Sequence, residues 1–259
     1  MEHVHMTNPY ESSGKMQEVD GIMFHYALQG DTDKPLLALV NPASNNLTCW
    51  EVVLDDLLKH FRVLRFDIRG TGKSGWGAED DFTFSQYADD LAGLMESLGL
   101  AKAFVLGVAY GARTAAQFAL RHEDKLSALG LFDVALTPPV VQAGQQALGE
   151  QARVLLAEAG ERPPERQKYW RFYENRDAAL LAHAAHKQEP DTSNLLGRIK
   201  VPSLVVCGRQ DMNLTEAQRI AAAIPGSAFH LMEMTGHGSL FFRPEIFVEL
   251  VNGFRINAT

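Results

Sequence analysis

The chain has 259 residues, with 24 Lys+Arg against 32 Asp+Glu, a formal charge of −8, 46% apolar residues and 22% charged residues. This balance suits a globular protein with a sizeable core, and it disfavours one that coats nucleic acid or an anionic membrane, which needs clustered cations. Two cysteines, Cys49 and Cys207, exclude a disulfide scaffold and most structural zinc sites, and no apolar run approaches the ~18 residues of a membrane span.

Residues 1–15 are polar and read as a loose arm without a signal-peptide core, so a soluble, cytoplasmic protein is expected. Ile22, Phe24, Tyr26 and Leu28 alternate as on one face of a strand. Short apolar runs at 36–40, 61–66, 103–106, 126–132, 203–207 and 228–232 suit strands buried on both faces of a mainly parallel sheet. Helical spacing fills the gaps. Trp50, Val53, Leu54, Leu57 and Leu58 follow a capping box read at Thr48 and Glu51. Tyr87, Leu91, Leu94, Met95 and Leu98 form a second stripe closed by Gly99. Further helices are expected over 110–120, over 215–224 with another Thr-x-x-Gln start, and over 245–254. The alternation predicts an α/β fold built on a doubly wound, mainly parallel sheet.

From 137 to 200 the alternation stops, and the composition shifts to Gln, Arg, Ala and Glu around Pro163-Pro164. This segment is expected to be a helical cap inserted between core parts 16–136 and 201–259. A separate second domain is the weaker alternative, because ~60 residues make a marginal core.

The chemistry centres on Gly107-Val108-Ala109-Tyr110-Gly111, which follows a strand and leads into a helix. Its spacing is that of the Gly-x-Ser-x-Gly elbow, which aims a middle nucleophile into a site. Here the middle residue is Ala109. Downstream, Asp211 and His237 follow the runs at 203–207 and 228–232, in the order acid then His that this architecture uses. Asp211 would fix the imidazole tautomer, and His237 would act as the base. Asp133 ends the 126–132 run and stands as the alternative acid, less favoured because Asp211 has the better glycine-led context.

Over residues 16 to 256 the chain resembles the α/β-hydrolase superfamily. Two segments, Leu39-Val40-Asn41-Pro42-Ala43-Ser44 with Trp50, and the run from Phe61 to Gly70 with Gly72 and Ser74, are similar to the 3-oxoadipate enol-lactonase branch. The resemblance implies an α/β-hydrolase fold with a helical cap and hydrolysis of an ester, lactone or related activated carbonyl. It also implies an oxyanion hole from the backbone N–H groups of Ala43 and Tyr110; no cofactor and no metal are expected. Ala109 departs from the family, which has serine there.

Other features point elsewhere. Gly70 to Gly75 satisfies Gly-x-Gly-x-x-Gly, but no helix opens after it, so a turn carrying a structural Asp67–Arg69 pair is expected rather than a nucleotide site. Cys49 and Cys207 read as packing residues, and His183 with His186 as solvated cap residues. Tyr169, Trp170, Phe172 and Tyr173 interleave with Arg162, Arg166, Arg171 and Arg176. Part of that cluster reads as helix core, while Trp170, Arg171 and Tyr173 are candidate pocket residues, Arg171 for a carboxylate.

Two readings of Ala109 stay open. In one, the natural residue is serine and this chain is an inactivated ester or lactone hydrolase. In the other, alanine is natural, and the protein is a small-molecule receptor or pseudoenzyme, or it uses His237 as a lone base. Asp211 and His237 at triad positions favour the first.

Overall fold

The computed structural model describes residues 8–137, 143–171 and 176–258. Among them one eight-stranded sheet forms, in the order β1-β2-β4-β3-β5-β6-β7-β8. The strands are β1 (Lys15–Val19), β2 (Ile22–Gln29), β3 (Leu36–Val40), β4 (Arg62–Phe66), β5 (Ala103–Val108), β6 (Leu126–Phe132), β7 (Ser203–Gln210) and β8 (Ala228–Gly236). β1 and β2 run antiparallel at one edge, and from β4 to β8 every neighbouring pair is parallel. This is the α/β architecture that the alternating pattern predicts.

The apolar runs are continuous because the sheet is covered on both faces. Leu37, Leu39, Val63, Phe104, Leu106 and Val108 enter one cluster, with residues of α1 (Glu51–Leu58) and α7 (Pro244–Ala258). The alternate residues Ala38, Val40, Leu64, Phe66, Ala103 and Val105 enter the other. They pack with α2 (Phe84–Ser97), α3 (Tyr110–Arg121) and α6 (Leu214–Ala223). Side chains two apart share a face, so one run feeds two cores.

Between β6 and β7 lie α4 (Ala143–Glu158), a 3-10 turn at Lys168–Trp170, α5 (Arg176–Gln188) and a second 3-10 turn at Ser193–Arg198. α4 packs against β8, with Ala152 and Leu156 buried beside Phe242 and Met234. The Tyr110 hydroxyl donates to the Ala182 carbonyl of α5 at 2.7 Å. These contacts bring α4 onto β8 and α5 to the start of α3.

Several local expectations change. Thr48 does not cap α1. Its N–H and hydroxyl both donate to Asn46 Oδ1, at 2.9 and 2.5 Å, so Asn46 caps a 3-10 turn at Leu47–Trp50 that runs on into α1. α6 starts at Leu214 behind Asn213 and makes no threonine cap. The 70–75 segment is a turn, as expected, but its ion pair differs. Arg69 grips Asp90 with two bonds, at 2.9 and 2.6 Å, and reaches Asp81 at 3.3 Å.

Asp67 has other duties. Its buried carboxylate takes the Tyr10 hydroxyl at 2.6 Å, His25 Nδ1 at 2.7 Å, and the N–H groups of Leu47 and Lys73 at 2.7 and 3.1 Å. Gly72 has φ +52°, and a Cβ there would run into this carboxylate and the Tyr10 hydroxyl. Within the supposedly loose arm, Pro9–Ser12 is a 3-10 turn pinned by the fully buried Tyr10. A single aromatic among polar residues leaves no periodic signal.

Asp67→Ala would strand four donors, three of them inside the fold, and should cost about 3–5 kcal/mol in urea unfolding. Proteolysis should also begin near residue 14. A loss under about 1 kcal/mol would remove Asp67 from this role.

Candidate active site

Four successive parallel strands end side by side, and the residue after each carries a candidate group. β5 is followed by Ala109, β6 by Asp133, β7 by Asp211 and β8 by His237. Crevices beyond the carboxyl ends of such strands are where open α/β sheets bind ligands.

Ala109 has φ 53° and ψ −108°, a conformation unusual for a residue with a side chain. Its N–H donates to the Phe132 carbonyl at 2.8 Å, and its carbonyl accepts from Ala112 at 3.1 Å. The flanking glycines explain how the turn closes. A Cβ on Gly107 would meet the Gly111 carbonyl, and one on Gly111 would meet the Val40 carbonyl. Strand β5, helix α3 and the end of β3 thus touch backbone to backbone. Residue 109, half-buried, is pushed out between them, against the cluster that holds Phe132, Trp170 and Phe241.

Ala43 and Tyr110 line one small cleft with Pro42, Ser44, Asn45, Ile68, Thr71 and Ala182. Tyr110 opens α3, so its N–H is among those with no partner inside the helix. The loop carrying Ala43 is held from below. Asn41 accepts from Trp50 Nε1 at 2.7 Å and donates to the Phe66 carbonyl at 2.8 Å. That bond gives the Asn and Trp of the resemblance a physical reason.

His237 Nδ1 lies 2.9 Å from Asp211 Oδ2. Asp211 is buried, and its Oδ1 accepts from the Asn213 N–H at 2.9 Å and from Gln145 of α4 at 3.3 Å. Burial alone would depress the imidazole's proton affinity. The bond to Asp211 and the negative charges of Asp211 and Asp133 outweigh it, so the His237 pKa lies above the ordinary histidine value. Gln145 was not visible in the sequence reading, since a glutamine on a polar helix has no distinguishing pattern.

Asp133 is fully buried at φ 53°. Its Oδ2 accepts the Ser239 N–H at 2.7 Å, while its Oδ1 has no hydrogen-bond partner among the described residues. One carboxylate oxygen each from Asp133 and Asp211, together with the Cys207 sulfur, lies within 4.8 Å of one another. Burial and the charge of Asp211 raise the Asp133 pKa from 3.8 to about 6, against the pull of His237 and Ser239. Of the two acids, Asp211 is the one bonded to the imidazole. Cys207 and Cys49 are buried free thiols whose pKa values burial pushes up, so neither is a poised thiolate.

Of the pocket candidates, Trp170 is buried and stacked on Phe241, with ring centres 5.7 Å apart, in the same apolar cluster as Ala109. Arg171 is exposed. Tyr173, Phe172 and the side chains of His183, His186 and Arg176 lie outside the described residues. Arg166 sets its guanidinium 4.5 Å over the Phe241 ring, and its positive charge bears on His237.

With this geometry in place, the class is defined: the chain belongs to the alpha/beta hydrolase family, whose sequence profile matches residues 39–250. It is 26% identical to a Caulobacter vibrioides protein named "Putative carbamate hydrolase RutD", over 91% of this chain and 96% of that one. Its fold is similar to the enol-lactonase from Burkholderia xenovorans LB400, with a TM-score of 0.77 and 25% identity over 93% of this chain and all of that one. It is also similar to a thermophilic esterase from Thermogutta terrifontis, with a TM-score of 0.74 and 25% identity over 95% and 99% of the two chains. No helix among the described residues is long and apolar enough to cross a membrane.

Two outcomes follow for stability. A positive-φ alanine stores about 1–3 kcal/mol of strain, more than the entropy a glycine adds to the unfolded chain. Ala109→Gly should therefore raise the urea midpoint, and a lowered midpoint would mean that the alanine methyl is worth more as packing. For Asp133, a folded pKa raised from 3.8 to about 6 gives stability that is complete below pH 3.8 and is lost as pH rises through 6. Asp133→Asn should accordingly be close to the parent at pH 4.5 and more stable by roughly 1–3 kcal/mol at pH 7.5. An equal difference at both pH values would contradict this.

Proposed function

We propose that this chain carries the proton-transfer and oxyanion parts of a serine hydrolase for an ester, lactone or similar activated carbonyl. In this reading alanine occupies the position from which a serine attacks. What supports it is Ala109 itself, at positive φ in the elbow after β5, in a row of strand ends that also carries the bonded His237–Asp211 pair. Strain of this kind is maintained by surrounding structure and clusters at functional sites. Alanine lacks one oxygen relative to serine.

With a hydroxyl at 109, the chemistry runs in two stages. The hydroxyl attacks the carbonyl carbon while His237 Nε2 takes its proton, and Asp211 holds the ring through Nδ1. The N–H groups of Ala43 and Tyr110 receive the oxyanion. His237 then returns the proton to the leaving oxygen, and water repeats the sequence on the acyl group. In this proposal residues 137–200 form the cap that closes the site and selects the substrate. The similarity to an enol-lactonase and an esterase supports an oxygen leaving group, and a carbamate offers a related carbonyl. The two buried free thiols accord with a reducing, cytoplasmic setting.

The test is Ala109→Ser, assayed on p-nitrophenyl esters and a panel of lactones beside the parent chain. A gain on the order of 10⁶-fold is expected, abolished by adding His237→Ala. If no substrate shows a gain while a small molecule binds tightly to the parent, the hydrolase reading fails and a receptor replaces it.

A further inference from the structure

The segment between α4 and the 3-10 turn at Lys168–Trp170 hangs a guanidinium over the histidine turn. Arg166 lies 4.5 Å above the centre of the Phe241 ring, and one of its terminal nitrogens is 3.7 Å from where a Cβ on Gly238 would stand. Gly238 directly follows His237. Two acids of the same insertion are engaged elsewhere, Glu161 with Arg243 at 2.8 Å and Glu150 with Arg153 at 3.2 Å. Among the described residues Arg166 has an aromatic face and no carboxylate. Arg153 rests 5.4 Å over the adjacent Phe242, and the positive charges of Arg153 and Arg171 both bear on Arg166. The sequence pointed to Arg171 for this role; both side chains are exposed, and Arg166 is the one described on an aromatic ring.

The strand order gives this placement a meaning. Relative to Ala109 after β5, the cleft lined by Ala43 and Tyr110 lies toward β3, and Arg166 lies toward β8. A ligand group that extends from Ala109 toward β8 heads for the side on which the guanidinium stands.

We propose that Arg166 is a specificity residue that binds a carboxylate on the substrate, so that the site takes acid-bearing esters or lactones. The guanidinium fork matches a carboxylate in two parallel bonds, and Arg153 and Arg171 add positive charge around it. The word substrate rests on the hydrolase reading. The anion seat rests on the position of Arg166 alone.

Because the chain has alanine at 109, binding can be measured without turnover. Glutarate and dimethyl glutarate are titrated at low ionic strength while the His237 ring protons are followed by NMR. Glutarate should shift them saturably, with at least about tenfold tighter binding than the diester. Arg166→Gln should erase that preference, Arg166→Lys should keep part of it, and Arg171→Gln should keep most of it. Arg166→Gln should also raise the His237 titration midpoint, since the lost charge had been lowering it. Equal affinity for acid and diester, an unchanged Arg166→Gln variant, or no saturable shift up to about 0.1 M would each overturn the proposal. Unchanged thermal midpoints in the variants exclude loss of fold. The hydrolase test is separate. An inert Ala109→Ser variant with acid-selective binding sinks only the catalytic reading, and an active one without selectivity sinks only the anion seat.

Discussion

Where β5 turns into α3 against the end of β3, the backbones approach too closely to admit a side chain between them. Two glycines make it possible, and a Cβ on either would collide with a carbonyl. Everything around the candidate site follows from that approach. It tips residue 109 into a positive-φ conformation, puts the start of α3 beside the Ala43 loop, and aligns the ends of four parallel strands. Dense packing passes the geometry outward, since a close-packed interior does not deform gradually.

A second constraint secures the opposite side of the loop. Asp67 gathers Tyr10, His25, Leu47 and Lys73 around one buried carboxylate, while Asn41 ties the Ala43 loop to Trp50 and Phe66. Buried polar groups of this kind stabilise only when every partner is present. They are therefore rigid, and a proposed oxyanion hole needs donors that do not reorganise. The Asp133–Asp211 pair works differently, because two carboxylates near one imidazole compete for protons. Burial and the charge of Asp211 favour the neutral form of Asp133, while Asp211 holds the bond to His237.

Much of this was legible before any coordinates. Continuous apolar runs marked strands covered on both faces, and the glycine spacing around residue 109 marked a strand-to-helix elbow. Less legible were contacts between groups distant in sequence. Asp67 and Arg69 stand two residues apart and invite a pair, yet each found partners more than ten residues away. Tyr10 in a polar arm and Gln145 on a polar helix had no periodicity to announce them. Among the arginines of the insertion, spacing could not say which one faces His237.

The sequence by itself determined the sheet, the elbow and the placing of Asp211 and His237 after successive strands, because side-chain period and backbone steric limits act over a few residues. Only the tertiary structure decided that Asp211 rather than Asp133 bonds His237, that Arg166 rather than Arg171 stands over the histidine turn, and that Asp67 anchors the amino-terminal arm. The physical reason is distance along the chain. Each of these choices depends on which loop ends meet once the sheet has closed, and no local preference encodes that meeting.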